Sequence, residues 1–300
     1  MSATAKLIGN IQSGDYRTIA QAITLVENSL PGSRELLLAL NPVLHPKVIG
    51  ITGPPGAGKS TLVNALLRKF VKSEKKIAVL SVDPSSPFNF GALLGDRIRM
   101  SEFYLHPNVY IRSIASRGSL GGLNATMIEI LDVLKSAPFD YILVETVGVG
   151  QSEVEIAGLA DTTIVVTVPE AGDEVQTMKA GVMEIADIFV VNKGDRDNAD
   201  LFVKNLKLLA HSKAGEWEIP VVKCVATEHS GLDELVLEIS NHQAIIQHNN
   251  QRHLSLLTEK AYQLIREKRM KDISKTELTK KIQREEEKGG FNVYRFVEGF

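Results

Sequence analysis

Cysteine is almost missing from this chain: Cys224 is the only one in 300 residues. A single thiol excludes an internal disulfide framework and any zinc site built from several cysteines. It also agrees with a reducing compartment. Strong charge of one sign is missing too. The formal net charge is −2, which provides no general basic field for gripping nucleic acid. The opening stretch MSATAKLIGNIQSGDY lacks the continuous apolar segment of a secretory signal, and no apolar run approaches membrane-spanning length. These absences predict a soluble, cytoplasmic protein with neither a nucleic-acid nor a membrane partner. Core-forming material is plentiful. With 44% hydrophobic residues, the chain can bury a sizeable core, so disorder is excluded as a general description.

From Lys47 onward, short apolar runs alternate with stretches of helical periodicity. KVIGITG, KIAVLSVD, NVYIRSIA, YILVETV, TTIVVTV, DIFVVNK and IPVVKCVAT are rich in β-branched residues and closed by a polar or turn residue, the pattern of buried strands. STLVNALLRKF, LNATMIEILDVLKS and ADLFVKNLKLLAHS carry apolar residues at three- and four-residue steps. Such alternation predicts an α/β fold with a mostly parallel sheet covered on both faces, whose ligands sit at the carboxyl ends of the strands. Residues 1–46 read as a helical extension closed by NPVLHP, whose prolines break a helix. Residues 47–240 form the predicted α/β domain. Residues 241–300 form a second helical extension, with Leu254, Leu257, Ala261, Leu264 and Ile265 at helical spacing. The Lys/Glu-rich run from Lys280 to Lys288 reads as a solvated helix face.

The eight residues GPPGAGKS, Gly53 to Ser60, fit the phosphate-loop pattern G-x-x-x-x-G-K-S. Its glycines let successive backbone N–H groups point inward, and the following helix adds its N-terminal partial charge. Gly53, Pro55, Gly56, Ala57, Gly58 and Thr61 line this predicted cradle. Lys59 reaches the β- and γ-phosphates, and the Ser60 hydroxyl is placed for Mg²⁺. A glycine-rich turn without a ligand is the plainer alternative. The loop's position after a strand and before a helix favours a nucleoside triphosphate.

The base is read from Asn192-Lys193-Gly194-Asp195, which closes another strand run. A carboxylate set edge-on to guanine accepts from N1–H and from the N2 amino group. Adenine lacks that donor pair and presents an acceptor, an expensive mismatch. Asp195 therefore predicts GTP and GDP as nucleotide ligands, with Lys193 packed over the base and Asn192 tying its loop to the phosphate loop. The next strand run ends at Ala226-Thr227, where the Ala226 N–H is expected to meet the guanine O6.

Three acids fall near predicted phosphate-side turns: Glu145 in Glu145-Thr146-Val147-Gly148, Asp83 at the end of KIAVLSVD, and Asp96 in GALLGDRIRM. Together with Ser60 they form the candidate Mg²⁺ set, not all in direct contact, because Mg²⁺ usually keeps several waters. Capping of a turn is the alternative for Asp83, which precedes a proline and two serines. The Gly148 N–H is the candidate sensor of the γ-phosphate. The seven histidines form no convincing ligand set, since His242, His248 and His253 lack helical ligand spacing and accompanying cysteines. There is no Asp-x-His-x-x-Gly pattern, so if cobalamin matters here it sits on a partner and not on this chain.

GPPGAGKST, VDPSSPFNFGALLGDRIRM, SRGSLGGLNA, ETVGVGQSEVEIAGLAD, AGDEVQTMKAGVMEIAD and VVNKGD, in this order, closely resemble the MeaB/ArgK family of GTPases. The resemblance is strong from Lys47 to Leu235 and looser at the helical ends. It implies a signal-recognition-particle-like GTPase core, often homodimeric, acting as a chaperone of adenosylcobalamin-dependent methylmalonyl-CoA mutase. It also implies phosphate and Mg²⁺ contacts for Lys59 and Ser60, and a metal shell of Asp83, Asp96 and Glu145. Residues 147–153 would be a switch responding to the γ-phosphate. Residues 170–179 would be a switch signalling to the mutase, with Asp173, Gln176 and Lys179 as its polar members. The family usually has Pro-Gly-Ala-Gly where this chain has Pro169-Glu170-Ala171-Gly172.

The expected reaction is in-line attack of water on the γ-phosphorus, with Lys59, Glu145 and Gln151 as candidate catalytic residues and Gln151 orienting the water. Intrinsic turnover is expected to be low and raised by the mutase. The alternatives are a nucleotide-dependent kinase or ATPase linked to transport of basic amino acids, and a metal-delivery GTPase. Asp195 weighs against the first, and the missing ligand cluster against the second.

Overall fold

The computed structural model describes residues 3–41, 45–83, 100–115, 126–146, 152–171, 184–211, 217–245, 251–270, 272–287 and 291–299, with only the backbone at 3, 83, 152–154, 171, 251–252 and 267. Its centre is a seven-stranded sheet. The strands are β1 (Lys47–Thr52), β2 (Ile77–Asp83), β3 (Val109–Ala115), β4 (Tyr141–Glu145), β5 (Thr162–Thr167), β6 (Ile188–Val191) and β7 (Val221–Lys223). They follow the order β3-β2-β4-β1-β5-β6-β7, and every neighbouring pair is parallel. Each strand lies within one of the apolar runs read from the sequence. β1, β4 and β5 are buried along nearly their whole length, which is why they read as continuous apolar segments and not as alternating ones.

Helices cover both faces. On one, α4 (Lys59–Lys72) packs Leu62, Val63, Leu66 and Leu67 onto Ile49, Ile51, Val79 and Leu143. Leu232, Leu235 and Ile239 of α8 (Leu232–Ile245) extend the same core toward β6 and β7. Burying each large aliphatic side chain contributes about 1.5–3 kcal/mol. On the other face, α6 (Ser152–Leu159) crosses β1 so closely that a Cβ at Gly50 would lie 2.6 Å from Ile156 Cγ1. Between these elements lie α5 (Met127–Lys135) and α7 (Ala199–His211), the latter beside β7.

The N-terminal helices α1 (Ala3–Gln12), α2 (Tyr16–Glu27) and α3 (Ser33–Ala39) belong to the same compact unit as the sheet, residues 1–253. The Asp15 carboxylate caps α2 by accepting from the Arg17 and Thr18 N–H groups. The Thr18 hydroxyl, with those N–H groups, holds this carboxyl below the usual carboxylate range. Arg112 of β3 donates to Glu27 at 2.9 Å and to Thr24 at 3.1 Å, and so ties α2 to the sheet edge. Tyr16 stacks on Phe139 with ring centres 6.0 Å apart, and its hydroxyl donates to the Pro107 carbonyl.

A second unit, residues 254–300, is helical. It contains most of α9 (Gln251–Arg269), then α10 (Lys275–Glu287) and α11 (Val293–Val297). Leu254, Leu257, Leu264 and Ile265 fall on α9 as their spacing predicted and are exposed. Among the described residues, no helix is long and apolar enough to cross a membrane.

Candidate functional site

β1 ends between β4 and β5, so the loop that follows it emerges at the middle of the sheet's carboxyl edge. That loop is residues 53–58. Gly53, Gly56 and Gly58 have φ of +139°, +79° and +86°, where side chains are rarely tolerated. Close approach adds a second constraint: a Cβ at Gly53 would run into the Val166 carbonyl, and one at Gly58 into the Asn192 amide. Pro55 and Gly56 are exposed at the tip, whereas Ala57 is fully buried. Gly58 forms the N-cap of α4, and its carbonyl accepts the Leu62 N–H, so the helix N-terminus opens onto the loop.

Lys59 and Ser60 are the first residues of that helix, each 7% exposed. The Lys59 ammonium donates to the Gly53 carbonyl at 2.9 Å and the Pro54 carbonyl at 3.1 Å, which holds it within the loop. The Ser60 hydroxyl donates to Glu145 Oε1 at 2.7 Å. Glu145 closes β4 and is 3% exposed. The next residue, Thr146, donates its hydroxyl to Thr52 Oγ1 at 2.9 Å and its N–H to the Ile51 carbonyl, which fixes the end of β4 against β1. Thr52 and Thr146 were not singled out from the sequence. Their signal was a threonine at the carboxyl end of each of two apolar runs.

Asn192 lies just beyond β6 and is 3% exposed. Its Nδ2 donates to the Ala57 carbonyl at 2.9 Å, and its Oδ1 accepts the Ala226 N–H at 3.2 Å. One side chain thus joins the phosphate loop, the loop after β6 and the loop after β7. The Ala226 N–H, expected at a guanine O6, is directed to Asn192 in this structure. Lys193 takes a positive φ of 56°, which turns the chain so that the Gly194 N–H donates to the Cys224 carbonyl at 2.9 Å. Asp195 is exposed beside this turn, as is Thr227 beyond Ala226, and Thr61 is half-buried on α4. Arg196 pairs with Glu170, in the 3-10 turn that follows β5, and links the loop after β6 to the loop after β5. Cys224, buried under this turn, has its thiol pushed up to about 12, first by burial and then by the charge of Glu234. It is packing and not a reactive thiol.

Asn192→Ala is expected to lower unfolding free energy by about 2–4 kcal/mol, because it strands the buried Ala57 carbonyl and the Ala226 N–H together. Urea unfolding of both proteins measures the difference, and equal midpoints would reject the bridging role.

The remaining candidates divide by position. Asp83 closes β2 opposite Ala115, at the same sheet edge. Asp96, Gly148, Gln151, Asp173, Gln176 and Lys179 lie outside the described residues, as do most of the two predicted switch segments. Among the described residues, then, the structure brings together Lys59, Ser60, Glu145, Asn192 and the Asp195 turn around a glycine-rich loop at the centre of one sheet edge.

A solved crystal structure of a LAO/AO transport system kinase shares this architecture, with a TM-score of 0.70 and 25% sequence identity, over 100% of this chain and 97% of that one. A putative GTPase of Pyrococcus abyssi is 49% identical over 248 residues, 81% of this chain and 76% of the relative. GTPase ArgK of Escherichia coli is 39% identical over 243 residues, 77% of this chain and 73% of the relative. The mitochondrial methylmalonic aciduria type A homolog of Mus musculus is 35% identical over 253 residues, 77% of this chain and 60% of the relative. The family model described as methylmalonyl Co-A mutase-associated GTPase MeaB matches residues 19–285, from α2 through α10. The chain is thus a GTPase, and it belongs to the MeaB family.

Proposed function

We propose that this GTPase is a chaperone of an adenosylcobalamin-dependent acyl-CoA mutase of the methylmalonyl-CoA mutase type, coupling GTP hydrolysis to loading, protection or reactivation of that enzyme. The match of nearly the whole chain to a mutase-associated GTPase family carries the partner assignment. The name of the mouse relative supports it.

The chemistry rests on the buried Ser60–Glu145 pair. A hydroxyl and a carboxylate 2.7 Å apart form an oxygen-only donor set, which suits a hard divalent cation such as Mg²⁺. Ser60 and Glu145 would hold that cation, with Asp83 and Asp96 as further proposed oxygen donors. Bound Mg²⁺ supplies charge neutralisation on the β- and γ-phosphate oxygens. Lys59 acts on the same oxygens: its ammonium is already desolvated and oriented by two loop carbonyls, so it needs little reorganisation as charge develops. The N–H groups of residues 53–58 and the α4 N-terminus cradle the phosphates. Asp195 reads guanine, Lys193 covers it, and Asn192 keeps this loop in register with the phosphate loop. Gln151 is proposed to orient the attacking water, Gly148 to report the γ-phosphate, and Asp173, Gln176 and Lys179 to carry the signal to the mutase as a homodimer.

The name of the solved neighbour supports a second reading, a kinase linked to amino-acid transport. The Asn192-Lys193-Gly194-Asp195 turn favours guanine over adenine and weighs against it.

Added mutase is expected to raise steady-state GTP turnover by about tenfold or more, the scale of a partner completing a phosphoryl-transfer site. Phosphate release against mutase concentration measures this. A flat response with every adenosylcobalamin-dependent acyl-CoA mutase would reject the chaperone role and leave the GTPase intact.

A further inference from the structure

On the sheet face covered by α4, columns of apolar side chains end in polar ones. Ile77 and Val79 of β2, and Leu143 of β4, belong to the core beneath α4. Alternation brings Ser81 to the same face, two residues beyond Val79, and Glu145 likewise beyond Leu143. The parallel register sets Ser81 opposite Glu145. Adjacent strands run about 4.8 Å apart, so these two side chains stand side by side. Ser60 approaches Glu145 from α4, on that same face.

Ser81 is 1% exposed, and its Oγ has no hydrogen-bond partner among the described residues. A buried hydroxyl left in that condition costs stability, whereas an apolar side chain would simply continue the column of Ile77 and Val79. A hydroxyl here is accounted for by the carboxylate beside it, which accepts hydrogen bonds only.

We propose that Ser81 is a positioning residue for Glu145: its hydroxyl, which makes no hydrogen bond to the carboxylate in this structure, turns to donate to it when the divalent cation is bound and so presents the acid to the cation. This role rests on the cation site proposed at Ser60 and Glu145. In this role Ser81 acts through Glu145 and not by contacting nucleotide or cation itself. It fixes which way the acid faces, as groups behind metal ligands do, and their loss typically weakens metal binding by about 10- to 100-fold.

Release of a fluorescent GDP analogue into excess GDP, followed as Mg²⁺ is titrated, tests the role without reference to turnover. Wild type should release more slowly as Mg²⁺ rises, with a defined midpoint. Ser81→Ala should raise that midpoint by about tenfold, with GDP affinity in excess chelator unchanged within about twofold, as expected for a residue that acts only through the cation's ligand. Ser81→Thr, which keeps a hydroxyl on the same carbon, should restore a wild-type-like midpoint. A Ser81→Ala midpoint equal to wild type overturns the proposal, as does a Ser81→Thr midpoint as high as that of Ser81→Ala. Wild-type release that ignores Mg²⁺ overturns the cation site itself.

Discussion

Lys59→Ala is expected to lower GTP turnover by about a hundredfold or more, the scale of losing one preorganised charge-stabilising donor. The magnitude follows from where the ammonium sits. Lys59 is 7% exposed and is aimed into the loop by the Gly53 and Pro54 carbonyls, so its charge is held at a fixed, desolvated position. Glu145→Gln should cost about tenfold or more, because the hydroxyl of Ser60 then faces a neutral amide where a cation needs a charge. Single-turnover phosphate release at saturating GTP measures both, with circular dichroism as the check on folding. Turnover within twofold of wild type in both variants would mean that the phosphate site lies elsewhere.

Asp195→Asn should exchange one base for another. Guanine offers two donors to a carboxylate, and an amide facing them repels one of the pair. Xanthine carries an oxygen where guanine carries its amino group, so the amide suits it. Affinity for GDP is expected to fall by at least about two orders of magnitude and affinity for xanthosine diphosphate to rise, the discrimination available to a site built around hydrogen bonds. Asp195 is exposed on its turn, so the substitution should leave stability near that of wild type. Competition against a fluorescent guanine nucleotide decides it. Unchanged GDP affinity in Asp195→Asn, or ATP binding as tightly as GTP to wild type, would remove guanine recognition from this loop.

Much of this protein was legible residue by residue, for a physical reason. Strands buried on both faces are mostly apolar and β-branched, so β1, β4 and β5 announce themselves as runs such as KVIGIT and TTIVVT. A loop that wraps phosphates needs positive φ at fixed places, and the glycines at 53, 56 and 58 stand where the backbone takes that conformation. Ser81 escaped notice because a serine in an apolar strand carries no local signal. It becomes visible only when the pleat gives its face and the register gives its neighbour. That the Asn192 side chain accepts the Ala226 N–H is visible only in the tertiary structure, because nothing local in Ala226-Thr227 reveals it.

By itself, the sequence determined the elements and the chemical vocabulary: which segments extend, which coil, where a lysine and a hydroxyl follow a glycine-rich loop, and where a carboxylate follows a turn. Those features depend on side-chain size, β-branching and backbone freedom within a few residues of each other, so they can be read in order along the chain. Only the tertiary structure decided the strand order β3-β2-β4-β1-β5-β6-β7. That order places Ser60 against Glu145, 85 positions away, and Asn192 against Ala57, 135 positions away. The hydrophobic pattern that makes each strand is nearly interchangeable from one to the next, so it cannot say which strands are neighbours. Which polar residues end up side by side at the sheet edge is settled by how seven similar strands and their helices pack together.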